Sequence, residues 1–160
     1  MAIAMQPPSP DAQIPSPEPR QRWMAVLARA SAAEIEPLLP ALMPLPPHRR
    51  LRGPETGLVM VRGRAGGDGA PFNLGEMTVT RCTVRLDDGA IGHAHVAGRD
   101  HRQAELAALL DALLQDKARH DDIQAMVIAP LAVAQAEKRA AVARRAAATR
   151  VEFFTMTQMR

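Results

Sequence analysis

Apolar positions along this chain change period twice, and the changes outline a fold. Trp23, Val26, Leu27 and Ala30 recur at the i, i+3, i+4, i+7 spacing of an amphipathic helix. Ser31-Ala-Ala-Glu34 has the form of a capping box and predicts a second helix from about Ala32. Pro37 and Pro40 shorten or kink that helix, and Pro44, Pro46 and Pro47 end it, because proline lacks the amide that a helix interior needs. From His48 the pattern becomes that of strands. Residues 48–53 form a candidate edge strand, residues 56–64 a stronger one, and residues 73–86 the longest. The stretch from Ala65 to Pro71, with three glycines and a proline, is a loop between them. Asp88-Gly89 predicts a two-residue type I′ turn into a strand over residues 91–97.

Helical spacing then returns. Asp100 is placed as an N-cap with Gln103 three residues on, and residues 101–115 carry Leu106, Leu109, Leu110, Leu113 and Leu114 on one face. A loop over residues 117–122 leads to Ile123, Met126, Val127 and Ile128, with an interruption at Pro130. Residues 131–149, rich in Ala, Glu, Lys and Arg, favour helix with an apolar face made mostly of alanine. The short apolar segment Val151-Glu-Phe-Phe-Thr-Met156 is expected to dock against another surface. Six prolines in residues 1–20 predict a disordered or polyproline-like tail. The fold class is therefore α+β: a small antiparallel sheet of three to four strands around a central hairpin, flanked by N-terminal helices and a C-terminal helical segment. Residues 21–160 are read as one domain of that kind, a length that suits a single core.

Composition narrows the function. With one Trp, three Phe and no Tyr, the chain lacks the rings on which single-stranded nucleic-acid binders stack bases. Eighteen of its 20 basic residues are Arg, against 17 acidic residues, and the arginine fork suits carboxylates, phosphates and protein interfaces. Cys82 is the one cysteine, so no intrachain disulfide forms. Neither a signal-peptide pattern nor an apolar run of membrane-spanning length occurs, which predicts a cytoplasmic protein without a membrane partner.

The candidate chemistry is incomplete. The glycine loop Gly63-Arg-Ala-Gly-Gly-Asp-Gly69 lacks the Lys-Ser/Thr and the following helix that a P-loop needs. With the expected two-residue turn, Cys82 faces His95 and Val84 faces His93, so Cys82, His93 and His95 would share one sheet face as a possible three-ligand zinc set. Val84, Leu86 and Ile91 on that same face read instead as core. The opposite face carries Arg81, Thr83 and Arg85, either a solvated face or a carboxylate- or phosphate-contacting one. Glu55 and Glu76 are acids with no evident partner, and no Ser/His/Asp set, paired-carboxylate motif or HExxH occurs. The basic helix over residues 137–150 could alternatively bind nucleic acid, but its alanine stripe suits close helix packing with Lys and Arg heads turned outward.

Several segments in order carry a family resemblance: Glu55-Thr-Gly-Leu-Val, Gly66-Gly67, Thr80-Arg81, Val84-Arg85-Leu86, Gly98-Arg99-Asp100, Ile128-Ala-Pro-Leu131 and Arg150-Val-Glu-Phe-Phe-Thr-Met156. Over about residues 20–157 the chain resembles the PhnG subunits of the bacterial carbon-phosphorus lyase core complex. The resemblance implies a non-autonomous subunit, acting with PhnH-, PhnI- and PhnL-like proteins to displace adenine from ATP by a phosphonate and give a ribose 1-phosphonate 5-triphosphate. It implies further partners of the PhnJ and PhnK kind, no cofactor held by this chain alone, and ATP and phosphonate as substrates of the complex. No catalytic residue is assigned to the chain; Arg64, Arg81 and Arg99 are its candidates for contacts to partners or to triphosphate. A zinc module using Cys82, His93 and His95, and an Arg-rich nucleic-acid binder, are the alternatives.

Overall fold

A computed structural model describes residues 18–64 and 69–151. The tail expected before them, the centre of the glycine loop and the apolar segment after Val151 lie outside the described residues. Helices α1 (Pro19–Leu27) and α2 (Ala32–Ile35) and a 3-10 turn over Glu36–Leu42 precede strands β1 (His48–Gly63), β2 (Phe72–Leu86) and β3 (Ile91–Ala97). Helices α3 (His101–Leu113) and α4 (Lys117–Ile123), a π-helical turn over Gln124–Ile128 and α5 (Ala129–Ala148) complete the order. Pro19 and Arg20 thus belong to α1, where proline at the first helical position costs no hydrogen bond.

The predicted N-terminal signals act as expected. Both the amide and the hydroxyl of Ser31 donate to Glu34 Oε2 at 2.8 Å, which closes the start of α2. The Lys138 ammonium on α5 reaches the same carboxylate, and these donors, Lys138 foremost, hold Glu34 at about 2. Pro37 and Pro40 turn the chain into the tighter 3-10 form after a single α turn.

The sheet is antiparallel in the order β1-β2-β3. The two candidate strands before the glycine loop are one strand, bent at irregularities between Arg50 and Glu55 that absorb Pro54 at the sheet edge. Alternate residues Thr80, Cys82, Val84 and Leu86 of β2 are buried, as are Gly92, Ala94 and Val96 of β3. On this face lie α3 and, beyond it, α1 and α5.

One buried carboxylate joins three of these elements. Asp111, on α3, is 0% exposed. Its Oδ1 accepts from Arg20 Nε at 3.1 Å and Trp23 Nε1 at 2.9 Å, both on α1. Its Oδ2 accepts from Arg20 Nη2 at 2.7 Å and from the His93 backbone amide of β3 at 2.9 Å. Four N–H donors, two of them from one guanidinium, satisfy the charge inside the protein; removing one partner of such a pair costs ~3–5 kcal/mol because the other is left buried and unpaired. Next to it Gly92 lets the sheet touch α3 directly: a Cβ there would stand 1.9 Å from Ala108 O and 2.6 Å from Ala112 N.

Three expectations are corrected. The β2–β3 hairpin turns through Asp87, Asp88 and Gly89, with Leu86 N–H donating to Ala90 O at 2.9 Å and Gly89 N–H to Leu86 O at 3.0 Å. Asp88 Oδ1 accepts from the Ala90 amide at 2.9 Å, and Gly89 takes the left-handed φ of +98°, the pattern of a three-residue loop rather than a type I′ turn. The extra residue shifts the register by one and reverses β3, so Cys82 stands opposite Ala94, Thr83 opposite His93 and Arg81 opposite His95. Residues 117–122 are helical, because Asp116 caps the Ala118 amide at 2.9 Å, His120 packs edge-on against Trp23 with ring centroids 5.3 Å apart, and Ile123 is buried. Nor does Pro130 end the helical path: the π turn before it widens the ladder where proline offers no amide and would crowd the preceding turn.

Gly92→Ala strikes backbone atoms, and urea unfolding is expected to show a loss of about 3 kcal/mol or more, whereas Gly75→Ala, with open space around the added methyl, changes stability by less than about 1 kcal/mol. Burial pushes the Cys82 thiol up from its ordinary pKa. Cys82 should therefore react with an aromatic disulfide reagent only as the protein unfolds. Rapid labelling in native buffer would contradict the β2–β3 register.

A candidate interaction surface

Because α3 covers the inner face and no described helix crosses the other, the sheet has an open outer face. Register places Arg49, Arg52 and Glu55 of β1, Arg81, Thr83 and Arg85 of β2, and Ile91, His93 and His95 of β3 on it. Side-chain contacts agree with this placement. Arg81 Nε donates to Glu55 Oε1 at 2.7 Å, Arg52 Nε lies 3.3 Å from the same oxygen, and Thr83 Oγ1 is 3.2 Å from His93 Nδ1. Glu55, an acid without an evident partner in the sequence, is thus held between two arginines.

Arg49 and Arg85 form a direct cross-strand pair. Among the described residues neither has a carboxylate within ion-pair distance, and like charges directly opposite each other are unfavourable in a sheet. Arg50, next in sequence, points to the other face, where Glu105 of α3 takes it in a fork of two 2.8 Å hydrogen bonds. That fork, with His48 3.7 Å from the same carboxylate, holds Glu105 below the usual carboxylate range, Arg50 contributing most.

Toward its far end the outer face becomes apolar. β3 pairs with β2 only from Val79 to Arg85, so Phe72–Thr78 of β2 and Gly57–Gly63 of β1 continue as a two-stranded ribbon. On the outer face Val59 and Met77, directly opposite each other, are 42% and 43% exposed; Leu58 and Met60 alternate with Val59 and so project from the other face of the ribbon, 63% and 52% exposed, and Leu74 and Phe72 are exposed near its tip. A two-stranded hairpin alone is only marginally stable in water, and natural sheets usually blunt or cover such edges. A shallow apolar depression bounded by Gly57, Leu58, Val59 and Val79 lies where the ribbon meets Arg81 and His95.

The candidate residues do not converge. Arg81 is on the outer face, bound to Glu55. Arg64 follows the last residue of β1, at the ribbon tip, nine residues along the strand from Glu55 and so on the order of 30 Å away. Arg99 is exposed in the turn between β3 and α3, after Gly98, whose amide donates to Thr78 O at 2.9 Å. Cys82 faces the core while His93 and His95 face outward, so the proposed zinc set is divided between two faces of the sheet. Among the described residues no three His, Cys, Asp or Glu side chains gather as metal ligands. No helix among them is long and apolar enough to cross a membrane. Sequence reasoning missed Asp111 and the Arg49–Arg85 pair. Asp111 shared a helical face with Ala104, Ala107 and Ala108, where burial of an acid calls for a cationic partner; the arginine pair needed the β1 register.

Comparison with known proteins gives this fold a family. The profile described as "Phosphonate metabolism protein PhnG" matches residues 18–158. The PhnG subunit of alpha-D-ribose 1-methylphosphonate 5-triphosphate synthase from Rhizobium meliloti (strain 1021) is 48% identical over 139 residues, 87% of this chain and 88% of that protein. With the profile spanning the helices, the sheet and the ribbon, and the relative matching 87% of the chain, the chain belongs to the PhnG family.

Proposed function

We propose that this chain is the PhnG-type subunit of an alpha-D-ribose 1-methylphosphonate 5-triphosphate synthase, and that it contributes binding surface rather than a complete active site. In that reaction a phosphonate oxygen forms a bond to C1 of the ribose of ATP, the bond to adenine breaks, and adenine leaves with a proton. The observation that carries the reading is the open sheet face with its projecting apolar ribbon, a surface that a self-sufficient enzyme would not leave bare. The Rhizobium meliloti synthase subunit, 88% of whose length this chain matches, supports it. The partners are PhnH-, PhnI- and PhnJ-like subunits together with PhnK- and PhnL-like nucleotide-binding proteins, and the complex works in the cytoplasm. Arg64, at the ribbon tip, Arg81, on the open face, and Arg99, at the β3–α3 turn, contact partners or the triphosphate from separate places rather than as one pocket.

Co-expression of the chain with its neighbouring phosphonate-utilisation subunits should give a complex that survives size exclusion, and formation of the triphosphate product should stop when this chain is omitted. Replacing Arg64, Arg81 and Arg99 together with alanine should weaken assembly or product formation by about tenfold or more while leaving the melting temperature of the isolated chain within a few degrees. Full activity of the remaining subunits without this chain would overturn the assignment. Unchanged assembly and activity of the triple variant would remove the three arginines from it.

A further inference from the structure

From the outer face of the sheet we infer a specific docking surface, resting on the subunit reading above: its occupant is a segment of another subunit that sets carboxylates against Arg49 and Arg85 and apolar side chains against Val59 and Met77. The argument begins with charge. Glu55 already accepts from Arg81 and lies beside Arg52, so its charge is engaged at the centre of the face. Arg49 and Arg85 face each other at the end near the β2–β3 turn, with no carboxylate among the described residues within ion-pair distance. Two guanidinium forks side by side match one or two carboxylates, in the charge-assisted geometry that Arg50 already adopts with Glu105 on the other side of the sheet.

The second step is shape. β2 has 15 residues, and at ~3.3 Å each the face runs on the order of 50 Å, cationic at one end and apolar at the other. A small anion would occupy the arginine end and leave the exposed ribbon uncovered. A nucleic-acid strand would place its phosphates along the whole length, where Gly57, Val59, Val61, Val79 and Met77 offer no positive charge. A second copy stacked in the same direction would set its own Arg49–Arg85 pair against this one. An acidic segment with an apolar continuation satisfies both ends at once, with charges that steer encounter and an apolar part that holds the complex.

The test uses the co-expressed complex. Arg49→Glu with Arg85→Glu should reduce the chain recovered with a tagged partner by about tenfold or more, as for charge reversal at a complementary interface. In the isolated chain the same variant should keep its circular dichroism and melting temperature, because both side chains are exposed. A photo-crosslinker at His93 in the wild-type complex should mark an acidic segment of one partner, and reversing those acids to lysine should restore recovery of the double variant. A second variant, Met77→Asp, should weaken recovery from the other end of the face.

Wild-type recovery that persists unchanged in both variants would overturn the docking surface while leaving the subunit assignment standing. Failure of the wild-type chain to assemble at all would overturn both. A dimer of the isolated chain that the double variant dissolves would give the face to a second copy instead. Inorganic triphosphate bound by the isolated chain and lost in the double variant, with assembly unaffected, would give it to a small anion.

Discussion

Everything in this structure is arranged around Asp111. A carboxylate with no solvent contact is held by a guanidinium, an indole and a backbone amide from two other elements. Such a group is tolerated only if every donor is in place, so it specifies the positions of α1 and β3 relative to α3 more sharply than the surrounding Leu and Ala contacts, which tolerate sliding. Gly92 adds the steric half of the constraint, since only a residue without a side chain lets the strand reach the backbone of α3. Together they collect the helices on one face of the sheet.

The consequence is an asymmetric molecule. Its inner face holds the core, from Trp23 and Leu27 through Val84 and Val96 to Leu110 and Val127. The outer face remains open and ends in a ribbon whose apolar side chains stand in water. The far half of α5 is similarly bare, with Val142 65% exposed beyond the Lys138–Glu34 contact. A subunit whose work is to be built into an assembly has reason to keep such surfaces; a free-standing catalyst does not. The same register divides Cys82, on the inner face, from His93 and His95 on the outer one, so the three ligands that a two-residue turn would have gathered lie apart.

Local signals in the sequence were readable because their physics is local. Ser31 and Glu34, Asp100 and Gln103, and the alternation from Thr80 to Leu86 each declare an element within a few residues, and the α+β class follows from them. What escaped depends on partners distant in sequence or on a single residue of register. Asp88-Gly89 fits a two-residue turn as readily as the last two positions of a three-residue one, and the side chain of Asp88 decides between them by capping Ala90. The charged run after Asp116 lacks apolar spacing, yet its helix is fixed by Trp23, about a hundred residues earlier. Family membership was legible from ordered fragments, whereas the Arg49–Arg85 pair appears only when β1 is laid against β2.

Hydrogen exchange on the isolated chain and on the assembled complex addresses the central claim, that the clamp at Asp111 commits the helices to one face and leaves the other for a partner. The account predicts that the His93 amide and the α3 amides exchange slowly in both states, while amides of the ribbon over residues 57–63 and 72–78 exchange fast in the isolated chain and slow by about tenfold or more on assembly. A ribbon already as protected as α3 in the isolated chain, and unchanged in the complex, would contradict it.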